Sequence, residues 1–105
     1  AVTKAIAYID ENYMKQPGLE SISKAAGVSS QHLCRLFRQT LNCRPMEYIT
    51  KRKIQAAKML LAETQKTVDQ IAEETGFCDS SYFCKIFKRF ESITPSQFRS
   101  IEQAL

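Results

Sequence analysis

Hydrophobic residues recur with helical period along nearly the whole chain, and no stretch alternates with period two over a useful length. Val2, Ile6, Ile9 and Tyr13 stand at helical spacing and predict an amphipathic helix that Gln16-Pro17-Gly18 ends. Leu19, Ile22 and Ala26 form the inner face of a short second helix, and Gly27 can take the left-handed conformation that stops it. Ser29 suits an N-cap for a third helix, which buries Leu33, Leu36, Phe37 and Leu41. Asn42 to Arg44 turn the chain, and Pro45 fits the first position of the next helix. No Gly or further Pro intervenes before Ala62, so one helix of about 25 Å is expected there. Thr67-Val68-Asp69-Gln70 has the form of a capping box and opens a helix that buries Val68, Ile71 and Ala72 and ends at Gly76. Asp79 caps a sixth helix, with Phe83, Ile86, Phe87 and Phe90 inside. Thr94-Pro95-Ser96-Gln97 is a second capping box and opens a last helix with Phe98 and Ile101 inside. The predicted class is all-α: seven helices, with two helix-turn-helix subdomains (residues 1–44 and 63–105) joined by a long linker helix (45–62).

The two halves are copies of one another. Ile22-Ser23-Lys24-Ala25-Ala26-Gly27-Val28 returns as Ile71-Ala72-Glu73-Glu74-Thr75-Gly76-Phe77. Leu33-Cys34-Arg35-Leu36-Phe37-Arg38 returns as Phe83-Cys84-Lys85-Ile86-Phe87-Lys88, and Pro45-Met46-Glu47-Tyr48 as Pro95-Ser96-Gln97-Phe98. The offset is 49 residues up to the glycine and 50 beyond it, so the second turn holds one extra residue. Apolar, basic, Gly and Pro positions recur together, which chance does not arrange. Two copies are too few for a solenoid and indicate a duplicated module.

A short helix, a Gly turn and a longer second helix describe a helix-turn-helix, whose second helix can enter a DNA major groove. In the first copy the core positions leave Ser30, Gln31, Cys34, Arg35 and Arg38 outside. In the second they leave Ser80, Ser81, Tyr82, Cys84, Lys85 and Lys88 outside. Neither face carries an acid beyond the capping Asp79. Gln and Arg can bond base edges in pairs, whereas Ser, Tyr, Lys and the leading N–H groups suit phosphate. A helical pair with a Gly turn also occurs in bundles that never meet DNA, and a basic outer face is commonly only solvated. The same acid-poor face in both copies favours DNA. Phe37, Phe87, Tyr48 and Phe98 are assigned to packing, and the run Lys51-Arg52-Lys53 to a solvated face.

Composition narrows the alternatives. Fifteen Lys and Arg against eleven Asp and Glu give +4, compatible with a polyanionic partner without demanding one. No apolar run approaches the length of a membrane span, and no membrane role is expected. The opening Ala1-Val2-Thr3 has no Met and enters the periodic pattern at once, as expected of a piece of a longer protein. Cys34, Cys43, Cys78 and Cys84 form no CxxC pair, and His32 is the one histidine, so no metal site or cofactor is expected. Reduced thiols and a cytoplasmic location follow from the same reading. No residue beside Cys34 or Cys84 activates a thiol, and no acid pairs with an evident nucleophile, so no catalytic residue is assigned. No Gly-rich phosphate loop occurs.

The segment Gly76 to Lys88, Gly-Phe-Cys-Asp-Ser-Ser-Tyr-Phe-Cys-Lys-Ile-Phe-Lys, followed by Thr94-Pro95-Ser96-Gln97-Phe98-Arg99, resembles the C-terminal signature of AraC/XylS-type transcription regulators. Ala56-Ala57-Lys58-Met59-Leu60-Leu61, Val68-Asp69-Gln70-Ile71-Ala72 and His32-Leu33-Cys34-Arg35-Leu36-Phe37 fit the same pattern, and the resemblance runs from about Ile6 to Arg99. It implies a bacterial gene regulator whose two reading helices enter successive major grooves of double-stranded promoter DNA. The two copies differ, so the implied site is asymmetric. By position, Gln31, Cys34 and Arg35 align with base-reading residues in the first copy, and Ser80, Ser81, Cys84 and Lys85 in the second, with Tyr82 able to reach base or phosphate. Ser30, Arg38 and Lys88 are expected on phosphates. Family members are usually activators that also touch RNA polymerase, with activation and repression both open for this chain. The family also implies an effector-sensing or dimerising region ahead of this segment, and the isolated domain is expected to be monomeric. Asn42 and Ser92 stand where the family commonly has Gly, and Cys78 and Cys84 where Ser is common, which weakens polar readout by the second copy. The rival reading is a protein-interaction bundle without DNA binding.

Overall fold

The computed structural model describes residues 1–105. Its elements are α1 (Val2–Asn12), a single 3-10 turn (Tyr13–Lys15), α2 (Leu19–Ala26), α3 (Ser30–Leu41), α4 (Pro45–Glu63), α5 (Val68–Glu74), α6 (Ser80–Glu91) and α7 (Pro95–Ala104). The chain divides into two compact units, Ala1–Arg52 and Lys53–Leu105, and the division falls inside α4.

In the first unit, Ala5 and Ile9 of α1, Ile22 and Ala26 of α2, Leu33 and Phe37 of α3 and Ile49 of α4 make the buried cluster. Gly27 ends α2 at φ 74°, and nothing lies within 4 Å of where its Cβ would be. Glycine is therefore favoured there by the backbone angle and not by crowding. Val28 N–H then donates to Ser23 O at 3.1 Å, which closes the helix end and sets the turn into α3. Ser23 and Ser30 meet hydroxyl to hydroxyl at 3.2 Å, a polar tie between α2 and α3. Leu36, expected inside, is half-buried, because α3 presents its inner arc at Leu33 and Phe37.

The second unit repeats the plan with a richer aromatic core. Rings run in contact from Phe77 to Phe83, Phe83 to Phe87 and Phe87 to Phe98, with centroids 5.0, 5.7 and 5.6 Å apart. Both capping boxes form. Thr67 accepts from Gln70 N–H at 3.1 Å while Gln70 accepts from Thr67 N–H at 2.9 Å, and Thr94 and Gln97 do the same. Arg99 and Gln103 of α7 both donate to Leu61 O near the end of α4, a carbonyl with no intrahelical donor to meet it. Arg99 also donates to Lys66 O and Gln103 to Thr64 O.

Two apolar residues expected inside are outside. Phe90 is 38% exposed, one turn beyond Phe87, where the cluster has already closed on Phe98. Ile101 is 55% exposed. At about 100° per residue it lies on the opposite side of Phe98 from Pro95 and Arg99, which face inward. The basic run of α4 is also not one solvated face. Lys51 is exposed, but Arg52 reaches Asp10 at 3.2 Å and lies 4.7 Å over the Tyr13 ring. Lys53 is buried, donates to Gly76 O at 2.9 Å and lies 5.4 Å from the Phe77 ring centre.

Candidate nucleic-acid interface

Two helices carry all eleven expected site residues, α3 in the first unit and α6 in the second. Each starts on a side-chain cap that fixes its direction out of the turn. His32 N–H donates to Ser29 Oγ at 3.2 Å, and Tyr82 N–H to Asp79 Oδ1 at 2.7 Å. Each ends on a left-handed residue, Asn42 at φ 56° and Ser92 at φ 71°. The helices are twelve residues each, a length that spans a groove.

On α3, Gln31, Cys34, Arg35 and Arg38 stand at i, i+3, i+4 and i+7 and so share one face. On α6, Ser81, Cys84, Lys85 and Lys88 stand at the same offsets, fifty residues later. Gln31, Arg35 and Arg38 are exposed, as are Ser81, Lys85 and Lys88. Tyr82 is 47% exposed although its ring leans on Phe77, centroids 6.2 Å apart. Ser30 and Ser80 begin their helices and are half-buried. Ser30 is tied to Ser23, whereas Ala72 occupies the matching place in the second unit and offers no hydroxyl.

The two cysteines are the least polar members of these faces. Both are half-buried, and Cys84 packs against the aromatic core of its unit. Burial, and behind it the Asp69 carboxylate, push the Cys84 thiol above its ordinary range, so it stays protonated near neutral pH. All four cysteines are free thiols.

Charge is unevenly shared. Residues 1–52 hold eight Lys and Arg against four Asp and Glu, while residues 53–105 hold seven of each. The whole net charge of +4 therefore belongs to the first unit. Within it, Arg35, Arg38 and Arg44 have no acidic partner. In the second unit Lys58 pairs with Glu91 and Lys66 with Glu74, while Lys53 and Arg99 donate to main-chain oxygens.

Arg44 was not among the residues expected at the interface. It lines a depression of about 330 Å³ together with Cys34, Arg35 and Arg38. The available signal was a basic residue directly before the helix-opening Pro45, at a position where the second copy has Thr94.

The helix-turn-helix domain family matches residues 22–101. The chain is similar to the lactose operon transcription activator of Staphylococcus xylosus, 31% identical over 98 residues, covering 93% of this chain and 35% of that protein. It is 32% identical over 96 residues to the bifunctional transcriptional activator/DNA repair enzyme AdaA of Bacillus subtilis, covering 91% of this chain and 46% of that protein. Among solved structures, a transcriptional regulator with an AraC-type DNA-binding domain from Chromobacterium violaceum superposes with a TM-score of 0.92 at 29% identity, over 96% of this chain and 90% of that one. The chain spans about a third of the length of the first curated relatives it matches. With the matched stretch covering both helix-turn-helix units and nearly all of the chain superposing on that fold, the chain belongs to the AraC-type helix-turn-helix family of transcription regulators.

Proposed function

We propose that the chain binds double-stranded promoter DNA sequence-specifically and acts in transcription regulation, with α3 and α6 in successive major grooves of an asymmetric site. The observation that carries this reading is the recurrence, at identical offsets, of an exposed acid-free face on two capped helices that each follow a positive-φ glycine. Arg35 has the forked donors that a guanine edge accepts in pairs, Gln31 has the donor and acceptor that match an adenine edge, and Arg38 and Lys88 offer charge to phosphates. The faces differ in sequence, which argues for two unlike half-sites.

In the same reading the chain is a binding protein and not an enzyme, works in the cytoplasm as a monomeric domain, and belongs to a longer regulator. That regulator senses an effector or dimerises through a preceding region and touches RNA polymerase, whether it activates or represses. No helix is long and apolar enough to cross a membrane.

The test is selection from random duplex DNA followed by titration of the selected site between 50 and 200 mM salt. Contact with roughly 6–10 phosphates loses about 10³–10⁵ in affinity over that range. Negligible binding with no salt dependence would instead support the protein-interaction bundle.

A further inference from the structure

The depression beside α3 has a composition that neighbouring charges should oppose. Arg35, Arg38 and Arg44 converge on it with Cys34, and none of the three guanidinium groups meets a carboxylate. The nearest acid along the chain, Glu47, forms no ion pair with them; its Oε1 accepts the Arg44 main-chain N–H at 3.3 Å and so closes the start of α4. That contact fixes the Arg44 backbone while its side chain stays exposed. Three like charges around one hollow lack only an anion, and the planar guanidinium fork matches the oxygens of a phosphodiester.

The second unit has no basic residue at the place of Arg44, although its Lys85, Lys88 and Arg89 likewise meet no carboxylate. Fifty residues on from Arg44 stands Thr94, whose hydroxyl accepts Gln97 N–H at 3.1 Å as the cap of α7. Four of that unit's seven cations are held by carboxylates or main-chain oxygens, and its net charge is zero.

We infer that Arg44 is a phosphate-contacting residue which, with Arg35 and Arg38, makes the first unit the electrostatic anchor on the duplex, the second unit docking with fewer phosphate contacts. The inference rests on the DNA reading above and deepens it: the backbone of one half-site carries most of the salt dependence. Arg35 reads a base edge from the rim of the hollow, and Arg38 and Arg44 hold the strand beside it.

The experiment compares the unaltered chain with Arg44→Ala, Arg44→Lys, the pair Arg38→Ala/Arg44→Ala and the pair Lys85→Ala/Lys88→Ala. Each is titrated on the selected duplex and on a scrambled one from 50 to 200 mM KCl. Arg44→Ala lowers affinity by the same factor on both duplexes. It also flattens the slope of log K against log salt by about 0.9, so about 3.5-fold less affinity is lost over that fourfold salt range. Arg44→Lys restores the slope. The first-unit pair flattens it more than the second-unit pair. An unchanged slope in Arg44→Ala, or an equal or larger effect from Lys85→Ala/Lys88→Ala, overturns the inference while leaving DNA binding intact. Absence of salt-dependent duplex binding by the unaltered chain defeats the DNA reading itself.

Discussion

Lys53 Nζ donates to the main-chain oxygen of Gly76 at 2.9 Å, across twenty-three positions of sequence. The ammonium comes from α4, and the carbonyl belongs to the turn from which α6 departs. The cation thus helps to hold the second reading helix in its direction without reaching the surface that helix presents. Lys53→Met keeps the packed stem and leaves Gly76 O without this donor, at a cost of about 1–3 kcal/mol in urea unfolding. Burial lowers the Lys53 pKa from its ordinary 10.5, with Cys78 pulling weakly the other way. The unfolded chain therefore binds the proton more readily just below pH 10.5, so stability from this group rises with pH through that window. The Met variant should lack that rise, and unfolding curves across the alkaline range measure it.

Arg35→Ala should cost about 1–3 kcal/mol at the selected site and relax preference at one base pair. Lys88→Ala should weaken selected and scrambled duplexes alike. Competition binding against single-base variants of the site separates the two outcomes, and unchanged discrimination in Arg35→Ala would remove that residue from the reading face.

Helix ends give opposite signs within a few residues of one another. Ser92 holds φ 71°, a region costly for a residue with a Cβ. Ser92→Gly should raise stability by about 0.5–1 kcal/mol. Asn42→Gly should gain less, because Asn tolerates that region better. Thr94→Ala should lose about 1 kcal/mol with the cap of α7. Chemical denaturation of the three variants checks both sign and order.

Thiol chemistry should rank by burial. Cys78 is exposed, while Cys84 is half-buried with its pKa raised by that burial. Iodoacetamide at pH 8 should modify the exposed Cys78 first and Cys84 much later, the Cys84 rate climbing as the pH is raised. Mass mapping of a time course shows the order, and equal rates would contradict the packing of Cys84 against its core.

Local chemistry made most of the fold legible in advance. A cap, a positive-φ glycine or a Pro at a helix start acts over three or four residues, so Ser29, Thr67, Asp79 and Thr94 could each be read from their neighbours alone. The faces of α3 and α6 were legible because their inner residues are large and the period is fixed. What stayed hidden depends on partners distant in sequence. Nothing beside Lys53 announces a carbonyl at Gly76, and nothing beside Ile101 says that Arg99 and Gln103 turn inward to Leu61 O. Arg44 was overlooked because it lies in a turn, outside the helical period that selected the other site residues.

The donation of Arg99 and Gln103 to Leu61 O, over 38 and 42 positions, has a consequence for biosynthesis. At roughly 5–20 residues per second, a ribosome needs about 2–8 s to pass from Leu61 to those two side chains. Until they emerge, the tail of α4 keeps an open carbonyl that only water can serve. The half of the protein made first closes its own 42-position link, Arg52 to Asp10, while its twin is still being translated.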